Sequence, residues 1–289
     1  MVDYECALLN LLDRTIASLN ERLVLLAPPE LAIPDQFSEC QFDLDRHDEL
    51  IHAVQRFRGS IYCEDGAIAR EQLSPDGRHL TPEDGQAWHL LLMDPDGSLG
   101  ACAWYREYDS LVYFDRLRVR HSALARSPEW SDVLWRAVEQ QLADARRQGL
   151  RYAELGGWAV APERRSSTET LLLALATYGL SRVHGGALGI TTATIRHRSS
   201  SILCRLGGQP LEVDGTVLPP YYDPQYDCMM EILRFDSRSP NPRYNALVEQ
   251  LHLKLFDTRV VARPYWPLMR SRCPEVPPVR ARSAPELAA

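Results

Sequence analysis

The stretch that most constrains this chain is Glu154-Leu-Gly-Gly-Trp-Ala-Val160, followed by Ala161-Pro-Glu-Arg-Arg165-Ser-Ser-Thr-Glu-Thr170. It reads as a strand that runs into a polar loop, which then opens a helix over 171–178. A helix opening gathers unpaired backbone N–H groups and the positive end of the helix dipole, a setting that suits a phosphate. Arg164 and Arg165 add charge, and Ser166, Ser167 and Thr168 can cap the helix or donate hydrogen bonds. Glu154, at the other end of the strand, is placed to take a proton. An anion site at one end and a carboxylate at the other suit acyl transfer from a phosphopantetheine thioester. The same pattern also serves as an ordinary capped strand-loop-helix unit.

The rest of the chain supplies the layers around that strand. Trp88–Met93 and Leu99–Tyr105 read as a hairpin about the turn Asp94-Pro-Asp-Gly97. Further strands are expected at 41–44, 111–119, 187–195 and 228–235. Helices are expected at 46–57 (capped by Asp45), 131–148, 199–206 and 242–256, and an N-terminal helix at 4–26 ends before Pro28-Pro29. Residues 66–87 form a long loop rich in Pro, Gly and Asp, the kind usually functional or disordered. The order predicts an α/β fold: a mixed, mostly antiparallel sheet with helices on both faces. The expected divisions are an N-terminal helix and linker (1–38), the main domain (39–236), a packed C-terminal helix (237–262) and a Pro/Arg-rich tail (263–289).

Composition excludes several classes. Seven cysteines, an odd number without a C-x-x-C pair, argue against a disulfide framework or a structural zinc site, and point to a reducing cytoplasm. A net charge of -7 argues against general nucleic-acid binding. No apolar run is long enough to span a bilayer, and the acidic start Met1-Val-Asp-Tyr-Glu is unlike a secretory signal.

With these elements placed, several motifs resemble those of the GNAT superfamily of acyltransferases, and within it the acyl-homoserine-lactone synthases and N-acyl amino acid synthases. Arg58-x-x-x-Tyr62 resembles the Arg and aromatic pair before a flexible acidic loop, and Asp84 an acidic position in that loop. Gly100-Ala-Cys-Ala-Trp-Tyr-Arg106 resembles the strand that ends in Arg. Glu154-x-x-x-Trp158-x-Val160 resembles a Glu-x-Ser-Arg-Phe-x-Val strand, and Arg196 to Gly208 the helix before a closing Gly. The likeness covers about residues 40–235. Gly156-Gly157 departs from the Ser-Arg of that strand, Ser166-Ser-Thr168 from the usual Gly-x-Gly loop, and Leu203-Cys204 from a helical Tyr acid.

The resemblance implies an N-acyltransferase in which an acceptor amine attacks the thioester directly. The donor would be acyl-phosphopantetheine on an acyl carrier protein, favoured over acyl-CoA, with no permanently bound cofactor or metal. Backbone N–H near Val160 would meet the oxyanion and Glu154 would be the base. Arg58 and Arg106 would clamp an acceptor carboxylate, unless Arg58 is tied to Glu64, Asp65 or Asp84. Tyr62, Asp84 and Trp158 would line the substrate site. Ala161, Arg164, Arg165, Ser166, Ser167, Thr168 and Arg196 would hold the phosphate end, with Arg164, Arg165, Arg196 and Arg198 forming a basic patch for the acidic carrier. His89 reads as structural, and His197 as a turn residue or an aid to phosphate binding. An acetyl-CoA-dependent N-acetyltransferase and a non-catalytic GNAT-like binding module are the alternatives.

Overall fold

The computed structural model describes residues 22–29, 31–165 and 167–264. The strands are β1 (Leu23–Leu26), β2 (Cys40–Phe42), β3 (Trp88–Met93), β4 (Leu99–Tyr108), β5 (Arg151–Val160) and β6 (Ala187–Thr194). Four short strands follow: β7 (Gln209–Pro210), β8 (Glu212–Val213), β9 (Thr216–Val217) and β10 (Tyr221–Asp223). β11 (Cys228–Asp236) and β12 (Arg259–Ala262) complete the set. The helices are α1 (Leu44–Glu64), α2 (Ser131–Arg147), α3 (Thr168–Val183), α4 (Ser199–Leu206) and α5 (Asn245–Leu255).

One sheet runs in the order β10-β11-β6-β5-β4-β3-β1-β12-β2, with β7 also on β11. Its pairs are antiparallel except β5 with β6, β1 with β12 and β12 with β2. Side chains alternate across each strand, so the sheet feeds a core on each face. On one face Leu25, Leu90, Leu92, Tyr105 and Ala153 pack under α3 and α5. On the other, Val24, Leu26, Leu91 and Cys102 meet Leu50, Val54 and Ile61 of α1. α2 covers the same face farther along, where Leu134, Val138 and Leu142 meet Tyr152, Ile190 and Ile232. The α/β sheet with helices on both faces, expected from the sequence, is the observed architecture.

Four local expectations are corrected. Residues 23–26 are not the end of a helix but a buried strand between β3 and β12. A run of four leucine and valine residues buried on both faces fits a central strand as readily as a helical stripe. The expected helix over 4–21 lies outside the described residues. Residues 111–119 are not a strand: they form a loop with single 3-10 turns at Phe114–Arg116 and Arg118–His121. No slot beside β4 is open to them, because β3 and β5 already occupy both of its edges. Asp43, not Asp45, caps α1, its carboxylate accepting from Arg46 N at 2.9 Å. Finally, Arg259–Ala262 joins the sheet between β1 and β2 before the C-terminal tail, of which residues from 265 on lie outside the described part.

Candidate functional site

The site begins where two neighbouring strands part. β5 and β6 are paired from Arg151 beside Ala187 to Leu155 beside Thr191, and no further. β5 continues to Val160 along β4, so its edge toward β6 carries backbone groups without a strand partner. Within that stretch Gly157 and Trp158 together oppose Ala103, a two-against-one bulge that bends the strand. Gly157 sits there at φ 61, and Cys102 Sγ donates to its carbonyl at 3.5 Å.

The two glycines have a second reason. The indole of Trp104 lies flat against them: a Cβ at Gly156 would meet it at 2.4 Å, and one at Gly157 at 2.2 Å. Gly156-Gly157, which departs from the Ser-Arg of the resembling family, is the pair that makes room for Trp104.

A cavity of about 220 Å³ fills the splay. Gly156–Val160 and Thr191–Thr194 form its sides, α1 and the residue 66–87 loop close one end, and Arg165, Thr170 and Ser199 stand at the other.

At the α1 end the polar groups are buried and paired. Arg58, 1% exposed, bonds Asp84 Oδ2 at 2.8 Å, the His79 carbonyl at 2.7 Å and, through Nε, His79 Nδ1 at 3.1 Å. Burial alone would raise Asp84, but Arg58 and the hydrogen bonds hold its carboxyl below the usual range. Burial and the Arg58 charge push His79 down to about 4, so it is neutral at pH 7. With Nδ1 accepting, its proton sits on Nε2. Arg58 Nη1, Thr81 Oγ1 and Trp158 Nε1 are buried polar atoms without a protein partner, and all three residues line the cavity. Tyr62 lines it too, its ring edge-on to His79 and to Tyr226.

Arg118 was not foreseen from the sequence, where it sat inside an expected strand. It lines the cavity, donating to Glu83 at 2.8 Å and to Tyr226 Oη at 2.8 Å. The run Arg116-Leu-Arg118-Val-Arg120 alternates arginine with aliphatics, which marks one side for burial but singles out none of its three arginines. Glu154 holds this loop in place. Its two oxygens accept from Arg118 N at 2.7 Å, Val119 N at 3.0 Å and Tyr108 Oη at 2.5 Å. Burial raises its carboxyl and those three bonds oppose the rise. Glu154 is 4% exposed and does not line the cavity. Arg106 stands clear of the cavity as well, over the Tyr108 ring at 4.5 Å.

The α3 end is looser. Val160 lines the cavity, but Ala161 N is spent on Gly100 O at 2.9 Å. Arg164 turns away to Asp94 and Glu169, which Arg22 shares. Arg165 lines the mouth and pairs with Asp65 at 2.7 Å. Arg196 bonds the carbonyls of Gly66, at 3.1 Å, and of Asp227. The four arginines therefore do not form one open basic patch, because Arg164 and Arg165 are neutralised within the chain. Ser166 lies outside the described residues. Ser167 is the N-cap residue of α3, with Oγ buried and unpartnered, and Thr168 opens the helix. His89 is buried in β3, bonded to the Asp84 carbonyl at 3.0 Å. His197 lines the mouth 3.9 Å from Asp65.

Among the described residues no group of three metal-ligating side chains occurs, and no helix is long and apolar enough to cross a membrane. No family model matches the chain, and no curated protein matches it in sequence. Solved structures do. A CoA-dependent acyl-homoserine lactone synthase, BjaI, with SAM and isopentyl-CoA is 12% identical over 84% of this chain and 93% of its own, at a TM-score of 0.48. FeeM, an N-acyl amino acid synthase from uncultured soil microbes, is 14% identical over 68% and 88%, at 0.41. A mosquito arylalkylamine N-acetyltransferase, like 5b, is 13% identical over 74% and 99%, at 0.43. The chain is thus similar to solved members of the group its motifs resemble.

Proposed function

We propose that the chain is an N-acyltransferase that moves an acyl group from a phosphopantetheine thioester to the amine of a small, carboxylate-bearing acceptor such as an amino acid. One observation carries the reading: β5 and β6 part beyond Leu155 and Thr191, and a cavity follows the bared β5 edge to the opening of α3. An extended pantetheine arm can add to that edge as a strand would, with its phosphate toward Ser167 and Thr168.

The acceptor lies at the α1 end, where the unpartnered Arg58 Nη1 and Thr81 Oγ1 offer donors to its carboxylate. Its amine attacks the thioester carbonyl. The N–C bond forms, backbone N–H groups of Gly156–Val160 take the developing oxyanion, and the C–S bond breaks. The thiolate takes up a proton and the amine nitrogen loses one. Among the described residues Asp65 is the one carboxylate in the cavity wall, and it is tied to Arg165, so the amine's proton leaves through water at the mouth. Glu154 is a positioning residue: it fixes the backbone that presents Arg118.

A carrier protein is favoured over coenzyme A as donor. Arg164 is held by Asp94 and Glu169, which leaves little charge beyond Arg165 for the further phosphates of coenzyme A. Ile195, Tyr222 and Met229 lie exposed near the mouth, an apolar surface for a protein to cover. Mass spectrometry of lipids from an expressing host, with purified enzyme, acyl carriers, acyl-CoA and a panel of amino acids, is the test. A new N-acyl product is expected. No product from any donor and amine overturns the reading, and turnover with acetyl-CoA alone replaces it with an ordinary N-acetyltransferase.

A further inference from the structure

The loop from β4 to α2 holds large apolar side chains out in water. Leu111 and Tyr113, 69% and 61% exposed, are the most exposed large apolar residues among those described, and Trp135 of α2 is 48% exposed. The three lie along one seam. Glu139, one helical turn on from Trp135, accepts from Phe114 N at 3.0 Å, so Trp135 and Tyr113 flank the same join of loop and helix. The loop is fixed there. Val112 is buried, Leu111 N donates to Asp109 Oδ1 at 2.8 Å, and Arg146 Nη1 donates to the Val112 carbonyl at 3.4 Å. Apolar residues scattered singly over a surface are ordinary, but a rigid group of this kind marks a contact.

Unpaired charge of both signs rims the group. Arg116, Arg120 and Arg126 are exposed and have no carboxylate partner among the described residues; Arg120 donates only to the Asp115 carbonyl, at 2.7 Å. The 3-10 turn that ends in Arg126 packs on α2. Asp115 and Glu129 are exposed on the same loop and have no cation.

We infer that this surface binds a second copy of the chain about a two-fold axis. In such a contact each patch meets itself turned round, so the arginines of one copy face the carboxylates of the other. Leu111, Tyr113 and Trp135 close over their counterparts at the centre, an apolar and aromatic core within a polar rim. An anionic lipid surface fits less well: it attracts the arginines but repels Asp115 and Glu129, on a chain whose net charge is -7. The inner side of the same loop places Arg118 in the cavity wall, so the contact backs a segment of the site. The inference does not depend on the acyl-transfer reading.

Sedimentation velocity of the full-length chain across the micromolar range tests it. The wild type should shift toward twice the monomer mass as concentration rises. Tyr113→Ser and Trp135→Ser should each raise the dissociation constant about tenfold or more, with an unchanged circular dichroism spectrum. Charge reversal gives a second arm. A chain with Arg116→Glu and Arg120→Glu, and another with Asp115→Arg and Glu129→Arg, should each stay monomeric alone and pair when mixed. A wild type that stays monomeric overturns the inference, and its flotation with vesicles of anionic phospholipid would assign the surface to a membrane instead. Association that survives both serine substitutions, or reversed chains that fail to pair on mixing, overturns it too.

Discussion

The two ends of the cavity are held by ion pairs of different kinds. At the α1 end Arg58 and Asp84 are 1% and 5% exposed and locked together with Gln55, His79 and Thr81. At the α3 end Arg165 is 38% exposed and meets Asp65 through a single contact. Two charges moved out of water need many partners to offset desolvation, so the first pair is committed to the fold. The second is cheap to open and can be exchanged for a ligand's charge. The cavity has a rigid floor and a yielding mouth.

The largest effect should come from breaking the floor. Arg58→Met leaves Asp84 buried without its cation and should cost about 3–5 kcal/mol in urea unfolding. A loss under about 1 kcal/mol would mean that the two ends are equivalent, and the contrast would fail.

Acid should attack the same end. Burial pushes His89 down to about 4 from 6.5, as it does His79. The unfolded chain therefore binds more protons between those values, and stability falls as pH drops through about 6.5 toward 4. Going from about pH 7 to about pH 5 should cost about 2 kcal/mol through His89 alone. Denaturant midpoints across that range measure it. His89→Gln, which can keep a donor on the Asp84 carbonyl, should flatten the decline, and an equally steep decline in that variant would exonerate the histidine.

Glu154→Gln probes the wall behind the floor. An amide cannot accept at both of its heavy atoms, so one of the donors from Arg118, Val119 or Tyr108 loses its partner, at about 1–3 kcal/mol. Acceptor KM should rise as Arg118 loosens, and the pH-rate profile should keep its shape. Disappearance of its acidic limb would restore Glu154 as the base.

Gly156→Ala probes the middle of the cavity. Overpacking against Trp104 should cost about 1–3 kcal/mol, and Trp104→Leu should recover most of it. Gly157→Ala should resist that rescue, because its positive φ persists once the indole is gone.

These contrasts also mark what the residues alone disclosed. The hairpin β3–β4, helix α2 and strand β6 were legible because alternation or helical spacing was bounded by turn residues. The run 111–119 misled: its β-branched and aromatic residues have strand propensity, but both edges of β4 were already taken. Arg118 was hidden with it, since its approach to Glu83 and Tyr226 joins segments 35 and 108 residues apart. Gly156-Gly157 showed only as a departure from a motif, because Trp104, across the sheet, gives the pair its meaning. Asp84 was read as an alternative partner for Arg58. That pair was legible as a possibility, while its burial came from packing no local pattern reports.

The mouth gives the smallest effect on stability and the sharpest on binding. Arg165→Ala should shift unfolding by less than about 1 kcal/mol, since its one carboxylate partner lies near the surface and regains water. The same change removes a cation from the cavity wall beside the opening of α3, so the affinity for a phosphopantetheine thioester should fall severalfold and depend less on salt. Asp65→Asn should act in the opposite direction, freeing Arg165 for the ligand's phosphate and tightening binding. If both substitutions weaken binding alike, the pair is a fixed strut like Arg58 and Asp84, and the mouth does not yield.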